Sequence, residues 1–319
     1  LHGSSFSLAV RRQRLFLPHS STMTPAGQST VLEKVLQNNS DLRAVLGEVL
    51  SAERKDGLSN QVLRISAQKG VFFLRLGQAG SEALVDRFAE AQNLRLAAKL
   101  GVAVPPAFID PGSGLLLTRA LKTSQAGNTD FPDKLGQELA RLHNSKLRFE
   151  GEINPNTTFA ELRMRISETL DSNPKLSLSK DVLGVLSELE RLMAKVEVQS
   201  QPVLVPSHGD LSEGNCLLAE DCLWLIDWEF SGMADPCWDL AYAIQEIGFD
   251  LEAERRFLTA YESGQHQPID RAALEVMKAR CDAISALWAV VQLLDGRDPE
   301  TFAPFALERA ARALKRKSV

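Results

Sequence analysis

The stretch HGDLSEGNCLLAEDCLWLIDWEFSGMADPCWDLAY, residues 208–242, places acidic and amide side chains beside short apolar runs. Two of these runs, NCLLA and CLWLIDW, predict short strands with the polar groups at their ends. Asp210, Asn215 and Asp227 could then converge as a base and two ligands of a hard cation such as Mg²⁺, which suits a carboxylate beside a neutral amide oxygen. Any one of the three would also serve as a turn cap, but caps need no fixed spacing from one another.

The part of the chain before this stretch predicts a small lobe built on strands. Helical periodicity from Thr30 predicts one or two opening helices. Three apolar runs separated by turn residues, at 49–54, 61–66 and 71–76, predict consecutive antiparallel strands. Residues 81–102 predict an amphipathic helix with Ser81 as its N-cap. The runs at 106–110 and 115–121 complete a predicted five-stranded sheet with this helix packed on it.

The period near 3.6 of amphipathic helices recurs at residues 131–147, 158–170, 179–198, 250–263 and 270–294. We therefore predict an α+β chain with a strand-rich lobe at 29–118 and a larger, mainly helical lobe at 119–319. Residues 1–28 are Ser- and Arg-rich and are expected to be a disordered leader, with Met23 as an alternative start. The basic segment RAARALKRKSV at 309–319 is interpreted as a solvated helix end.

Composition narrows the class of protein. The 319 residues are 44% hydrophobic and 24% charged, which is typical of a globular enzyme. A net charge of -5 argues against a nucleic-acid partner. No apolar run approaches the roughly 20 residues that a bilayer-spanning helix needs. The four cysteines form no CxxC pair and indicate reduced thiols, so a cytoplasmic location is expected.

The motif HGDLSEGN, followed by LIDWE and DPCWDLAY, resembles the signature of the aminoglycoside phosphotransferase and choline kinase superfamily of small-molecule kinases. The resemblance implies a protein-kinase-like bilobal fold with ATP and Mg²⁺ as cofactors. It implies that Asp210 is the catalytic base and that Asn215 and Asp227 are the Mg²⁺ ligands. His208 is expected to support the loop rather than to shuttle protons. Of the other acids in the stretch, Asp221 is expected in a hairpin turn, and Asp235 and Asp239 are expected to brace the loop and to start the next helix.

The first lobe carries a candidate nucleotide site. The segment KDGLSN at 55–60 resembles the turn with which this superfamily covers phosphates, so the backbone N–H groups of Gly57, Ser59 and Asn60 would cradle phosphate oxygens. An ordinary hairpin turn explains the glycine and asparagine equally well.

Arg75 is a lone cation on the apolar strand FFLRL and needs a partner if it points inward. The resemblance implies that Glu90 on the following helix is this partner and that Arg75 is oriented toward the nucleotide phosphates. The alternatives are that Arg75 snorkels from a sheet edge and that Glu90 lies on a solvated helix face.

For the acceptor, the resemblance marks Glu229, Phe230, Glu246 and Trp288 as substrate contacts. An aromatic face together with a carboxylate suits a quaternary ammonium ion, which cannot donate hydrogen bonds. Choline kinases usually have another Trp where this chain has Ser285, and a Tyr where it has Phe230. Core packing is an equally good explanation of Trp288 and Phe230.

These observations predict an ATP-dependent kinase whose partner is a small alcohol, most simply the amino alcohol choline or ethanolamine. The alternatives are a thiamine or aminoglycoside phosphotransferase and a catalytically silent kinase-like binding module. Loss of the base or of a metal ligand usually marks a silent module, whereas Asp210, Asn215 and Asp227 are all present here.

Overall fold

The computed structural model describes residues 25–55, 61–77, 85–123, 130–173, 176–195, 203–264 and 268–316. The chain divides into two units, one ending at Asn38 and the other beginning at Asn39. In the first, helix α1 covers Pro25–Asn38. Most of the predicted leader, residues 1–24, lies outside the described residues, as does the alternative start at Met23.

The second unit begins with the predicted five-stranded sheet, and this prediction is confirmed. Its elements are α2 (Ser40–Leu46), β1 (Val49–Lys55), β2 (Gln61–Ala67), β3 (Gly70–Leu76), α3 (Arg87–Leu100), β4 (Pro106–Asp110) and β5 (Leu115–Arg119). The strand order is β1-β2-β3-β5-β4, and all neighbours are antiparallel. Phe72 and Leu74 of β3, the central strand of this sheet, share one face and are fully buried.

This position also decides between the alternatives for Arg75. The residue pairs in register with Val62 of β2 on one side and with Leu116 of β5 on the other. A side chain on a central strand has no sheet edge from which to reach solvent, and Arg75 is only 7% exposed. Snorkelling is therefore excluded.

Helix α3 begins later than predicted. Its N-cap is Asp86, whose carboxylate accepts from the backbone N–H groups of Phe88 and Ala89 at 2.9 and 3.0 Å. The predicted cap, Ser81, lies outside the described residues. The correction has a simple cause, because Asp is as good a cap as Ser and Asp86 follows Ser81 by only five residues. Gly101 ends the helix with φ 83°, a left-handed conformation that glycine adopts without strain.

Asn93 attaches α3 to the rest of this unit. Its side chain is fully buried and donates to the carbonyl oxygens of Glu150 and Ser231 at 3.0 and 3.1 Å. Its side-chain oxygen accepts from the backbone N–H of Glu150 at 2.8 Å. Every polar group of this side chain is thus bonded to the backbone of the helical region.

The remainder is mainly helical, as predicted. Its helices are α4 (Phe131–His143), α5 (Pro155–Ser172), α6 (Lys180–Lys195), α7 (Pro236–Ile247), α8 (Leu251–Ser263), α9 (Arg271–Leu294) and α10 (Pro299–Lys315). Two short antiparallel pairs accompany them, β6 (Val205–Ser207) with β9 (Gly232–Ala234), and β7 (Cys216–Ala219) with β8 (Cys222–Leu225). The domain limits 28/29 and 118/119 stay predictions.

The interpretation of the basic segment as a solvated helix end is wrong at Arg309. Arg309 is only 6% exposed, and Arg309, Arg312 and Arg316 all form ion pairs with the buried carboxylate of Asp282 on α9. The sequence shows the positive charges of the segment, but it does not show that an acid on another helix lies opposite them. Among the residues described, no helix combines the length and apolar character that a membrane crossing requires.

Candidate active site

The loop after β6 carries the first half of the site. Gly209 has φ +90°, and a Cβ added there would lie 2.2 Å from the carbonyl oxygen of Phe230. Only glycine therefore permits this close approach of two backbones. The contact brings the HGD loop against the segment that follows Asp227.

His208 supports this loop, as predicted. It is fully buried, and its Nε2 donates to the carbonyl oxygen of Ile226 at 2.9 Å, since a carbonyl can only accept. Its Nδ1 then accepts from the backbone N–H of Asp210 at 3.3 Å. Burial lowers the pKa of His208, which keeps the ring neutral in this bridging geometry.

Asp239 braces the loop from α7. Its carboxylate accepts from the backbone N–H groups of His208 and Gly209 at 2.8 and 2.9 Å and lies 3.2 Å from Nε2 of His143. Burial acts to raise the pKa of Asp239, but the hydrogen bond and charge of His143 outweigh it, so the pKa is lowered. The expectation that Asp239 braces the loop is confirmed.

Two other acids of the opening stretch have the structural roles expected of them. Asp235 caps α7 by accepting from the backbone N–H of Cys237 at 2.8 Å. Asp221 lies in the tight turn between β7 and β8, where Glu220 and Asp221 both have positive φ, at 51° and 63°. Consecutive left-handed residues of this kind match the twist of a two-residue hairpin.

Asp210 and Asn215 are in direct contact. The side-chain amide of Asn215 donates to the backbone oxygen of Asp210 at 2.8 Å and to its carboxylate at 3.2 Å. Burial raises the pKa of Asp210 to about 6, and the negative charges of Glu246 and Glu229 add to the effect. A carboxyl group with this pKa is close to the operating range of a general base.

Asp227 completes the predicted trio from the strand side. The backbone N–H of its neighbour Ile226 donates to the carbonyl oxygen of Asn215 at 3.0 Å, which ties the two predicted ligands together. Asp227 has φ 65°, a left-handed conformation uncommon outside glycine and favoured next by Asn and Asp. Burial and the charge of Glu229 raise its pKa to about 7, against the lowering effect of Arg75 at 3.7 Å.

This donor set fits a divalent cation. The negative charge of Asp210 contributes to the raised pKa of Asp227, so a positive ion beside both carboxylates would remove an unfavourable interaction. Asn215 donates through its nitrogen, which leaves its side-chain oxygen as the atom for a cation. Within the described residues, no group of three or more His, Cys, Asp and Glu has the arrangement of a metal site. Mg²⁺ is usually held by only one or two carboxylates together with substrate phosphates.

Arg75 and Glu90 form the predicted ion pair, and this prediction is confirmed. Arg75 Nη2 lies 2.8 Å from Glu90 Oε2, and Arg75 Nη1 also bonds Oε1, so the contact is bidentate. Both side chains are buried, at 8% and 1% exposure, which excludes a solvated face for Glu90. The predicted phosphate turn at Gly57, Ser59 and Asn60 lies outside the described residues.

Arg87 extends this pair into a four-residue chain of alternating charge. Its Nη1 lies 2.8 Å from Glu90 and 3.0 Å from Glu229. We call Arg75, Glu90, Arg87 and Glu229 the interlobe charge chain, since it runs from β3 through α3 to the segment after Asp227. Sequence reasoning missed Arg87, although its position three residues before Glu90 was an available signal. For Glu229 the buried ion pair favours a structural role over the predicted acceptor contact.

The other predicted acceptor residues have varied surroundings. Phe230 and Trp288 are 44% and 38% exposed, so neither is a core residue. The ring of Trp288 makes edge contacts with Phe302 and Phe305 of α10 at 5.7 and 6.3 Å. Glu246 lies at the end of α7, where its carboxylate is 2.8 Å from Arg309.

Tyr242 is a further candidate that sequence reasoning did not single out. It stacks on Trp238 at 5.4 Å. Burial raises its pKa, and the negative charges of Asp210, Cys281 and Glu246 add to the effect. The available signal was spacing, because Tyr242 precedes Glu246 by four residues and the two share one face of α7.

Comparison with known proteins gave consistent matches. The model of the phosphotransferase enzyme family (APH) matches residues 52–279. Protein LicA of Haemophilus influenzae strain Rd is 31% identical over 269 residues, which is 80% of this chain and 96% of the relative. Choline kinase LicA from Streptococcus pneumoniae is 26% identical with a TM-score of 0.72, covering 91% of this chain and 99% of that one. LicA in complex with AMP is 26% identical with a TM-score of 0.70, covering 91% and 97%.

Proposed function

The chain belongs to the phosphotransferase enzyme family, and from this premise we propose that it transfers the γ-phosphate of ATP to the hydroxyl group of choline. The observation that carries the proposal is the position of Asp210. Its carboxyl group contacts Asn215, a candidate metal ligand. Burial and the negative charge of Glu246 raise its pKa to about 6. A base between a cation-binding group and a second acid suits an acceptor that carries a hydroxyl and a positive charge.

In this mechanism Asp210 accepts the proton of the choline hydroxyl as the oxygen attacks the γ-phosphorus, the bond to the β–γ bridging oxygen breaks and ADP leaves. His208 and Asp239 keep the loop of Asp210 fixed through the backbone bonds described above. Asn215 and Asp227 would hold Mg²⁺, which neutralises phosphate charge when bound. The raised pKa of Asp210 makes its carboxylate a stronger base. Transfer of the hydroxyl proton to it is therefore favoured near neutral pH.

Arg75 anchors the nucleotide in this proposal. Its guanidinium is held by Glu90, and its buried Nε has no hydrogen-bond partner within the described part of the chain. A buried donor of this kind is stabilised by an anion such as a phosphate oxygen. The complex of LicA with AMP supports a nucleotide in the related fold. Gly57, Ser59 and Asn60 stay predictions for the same site.

In this proposal Glu246 and aromatic rings bind the cation of the acceptor. Tyr242 lies beside Glu246 on α7, and the half-exposed Trp288 and Phe230 provide further faces. The trimethylammonium group binds to such a set through charge and cation–π contacts alone. Ethanolamine, which donates hydrogen bonds, is the next acceptor to test. The need for ATP and the four free cysteines support a cytoplasmic location.

The test measures ADP release with Mg²⁺-ATP against choline, ethanolamine, thiamine and an aminoglycoside. We expect the largest kcat/KM with choline. Asp210→Asn should lower kcat by about 10²-fold or more with ATP binding retained. Asp221→Asn is the matched control, because it makes the same chemical change in the hairpin turn, where Asn tolerates the left-handed backbone.

Three outcomes decide the proposal. Preferred turnover of thiamine or the aminoglycoside would reassign the acceptor. ATP binding without turnover of any acceptor would favour the silent module. Full activity of Asp210→Asn would refute the assignment of the base.

A further inference from the structure

Glu246, the acid assigned to the acceptor cation, already has a positive partner. Nη2 of Arg309 lies 2.8 Å from its carboxylate, 63 residues further along the chain. The side chain of Arg309 is 7% exposed and that of Glu246 is 20% exposed, so solvent screens this pair only partly. The substrate cation would therefore meet a carboxylate whose charge is largely balanced.

The guanidinium of Arg309 is held in place by α10. It stacks on the ring of Phe305, 4.6 Å from the centroid, and Phe305 in turn contacts Trp288. Phe305 and Arg309 are four residues apart on one face of α10 and so touch two predicted acceptor residues, one on α9 and one on α7. The segment matched by the family model ends at residue 279, so α10 lies beyond it.

Arg309 is not required to neutralise its other neighbour. Asp282 is fully buried but is bonded by Arg316 at 2.6 Å and by two nitrogens of Arg312. The contact of Arg309 with Asp282 is longer, at 3.5 Å. Asp282 therefore keeps two close cations without Arg309, whereas Arg309 lies 2.8 Å from the carboxylate of Glu246.

We propose that Arg309 is a positioning residue that acts through Glu246 and weakens the attraction of the acceptor site for a cationic substrate. The inference rests on the proposed function, since it needs an acceptor whose cation faces Glu246. A balanced carboxylate binds a quaternary ammonium ion less tightly than a bare one. The product keeps the same cation, so the weaker attraction also favours its release.

The effect of Arg309 on cation binding can be measured separately from a general loss of structure. Choline and its neutral carbon isostere, in which a tert-butyl group replaces the trimethylammonium group, have the same shape and the same hydroxyl. The ratio of their kcat/KM values therefore reports the charge felt by the substrate. A distorted pocket lowers both values together, whereas a change in the charge of Glu246 alters the ratio.

The experiment measures this ratio in the full chain at about pH 8, where a carboxylate stays ionised. Arg309→Met removes the charge and keeps apolar volume over Phe305. We expect the ratio to rise about tenfold, mostly through a lower KM for choline, because close charge pairs couple by this order. Arg309→Lys should keep the wild-type ratio, since the positive charge remains. Arg312→Gln is the matched control, because it removes an equal charge from Asp282 and leaves the pair with Glu246.

Each result decides the inference. A rise in Arg309→Met alone supports it. An unchanged ratio would reduce Arg309 to a packing role, and a fall would show that it strengthens cation binding; either overturns the inference. If Arg309→Met does not fold, Arg309→Gln answers the same question by the same ratio. Absence of choline turnover in the wild type would instead overturn the proposed function, which the wild type reports before any variant is made.

Discussion

The interlobe charge chain makes the substitution Glu90→Gln a sharp test of how the two lobes are held together. The Glu90 carboxylate is 1% exposed and bonds both Arg75 and Arg87. Glutamine has almost the same volume, so the change removes charge without opening a cavity. Two guanidinium groups, each 8% exposed, then lose the anion between them.

The expected loss of stability depends on the ion pairs that Arg75 and Arg87 keep in the variant. Arg87 keeps Glu229 at 3.0 Å, whereas Arg75, within the described part of the chain, keeps the longer contact with Asp227 at 3.7 Å. Removing one partner of a buried ion pair costs about 3–5 kcal/mol, and the remaining contacts place this case at the lower end. A loss of about 3 kcal/mol corresponds to a Tm lower by roughly 4–5 °C in a chain of this size. The KM for ATP should also rise, because Arg75 is no longer oriented.

The assay is thermal unfolding followed by circular dichroism, with Glu252→Gln as the matched control. Glu252 also makes a bidentate pair with an arginine, at 2.9 and 2.6 Å to Arg255, but both side chains are 65% exposed. An exposed pair of this kind adds little to stability. If the two variants melted within about 1 °C of each other, burial would not decide the strength of these pairs and the reasoning would fail.

Three further predictions concern the catalytic loop. Gly209→Ala should destabilise the fold strongly, because a Cβ at φ +90° would lie 2.2 Å from the Phe230 carbonyl; a variant with wild-type Tm and kcat would contradict this. Asp227→Asn should fold, since Asn accepts the left-handed backbone, but should lower kcat and raise the Mg²⁺ concentration needed for half-maximal rate; an unchanged Mg²⁺ titration would remove Asp227 from the metal site. His208→Asn tests the pH dependence: burial lowers the pKa of His208 from 6.5, so the unfolded chain binds the proton more readily, and the stability of wild type relative to the variant should be full above pH 6.5 and decrease below it. A difference in unfolding free energy that stays constant between about pH 8 and 5 would contradict the buried neutral ring.

The predictable features were those encoded by nearby residues or by an unusual residue in its context. Asp210, Asn215 and Asp227 belong to one short hairpin region, so their spacing indicated that they could converge. Arg75 was recognisable as a single cation on a buried strand, which demands a partner. The turn at Asp221 and the cap at Asp235 depend on local chemistry of the same kind.

The contacts that sequence reasoning missed join residues far apart in the chain. Arg309 appeared only as part of a basic segment, because its partners Glu246 and Asp282 precede it by 63 and 27 residues. Arg87 was hidden in the same way, since its second partner, Glu229, lies 142 residues away. A periodic pattern shows which face of a helix is apolar, but it does not show which acid on another element forms an ion pair with a given arginine. Such pairings follow from how the helices pack.

The three hydrogen bonds that join the side chain of Asn93 to the backbone have a consequence for motion. They fasten α3 to the backbone at Glu150 and Ser231, and the interlobe charge chain fastens β3 to α3 in turn. A hinge that lifted the whole first lobe as a rigid body would have to break both attachments at once. Opening for nucleotide exchange therefore requires the least free energy if strands β1 and β2 bend while α3 stays in place. Amide hydrogen exchange should accordingly be slow along α3 and faster in β1, the outermost strand on that side of the sheet.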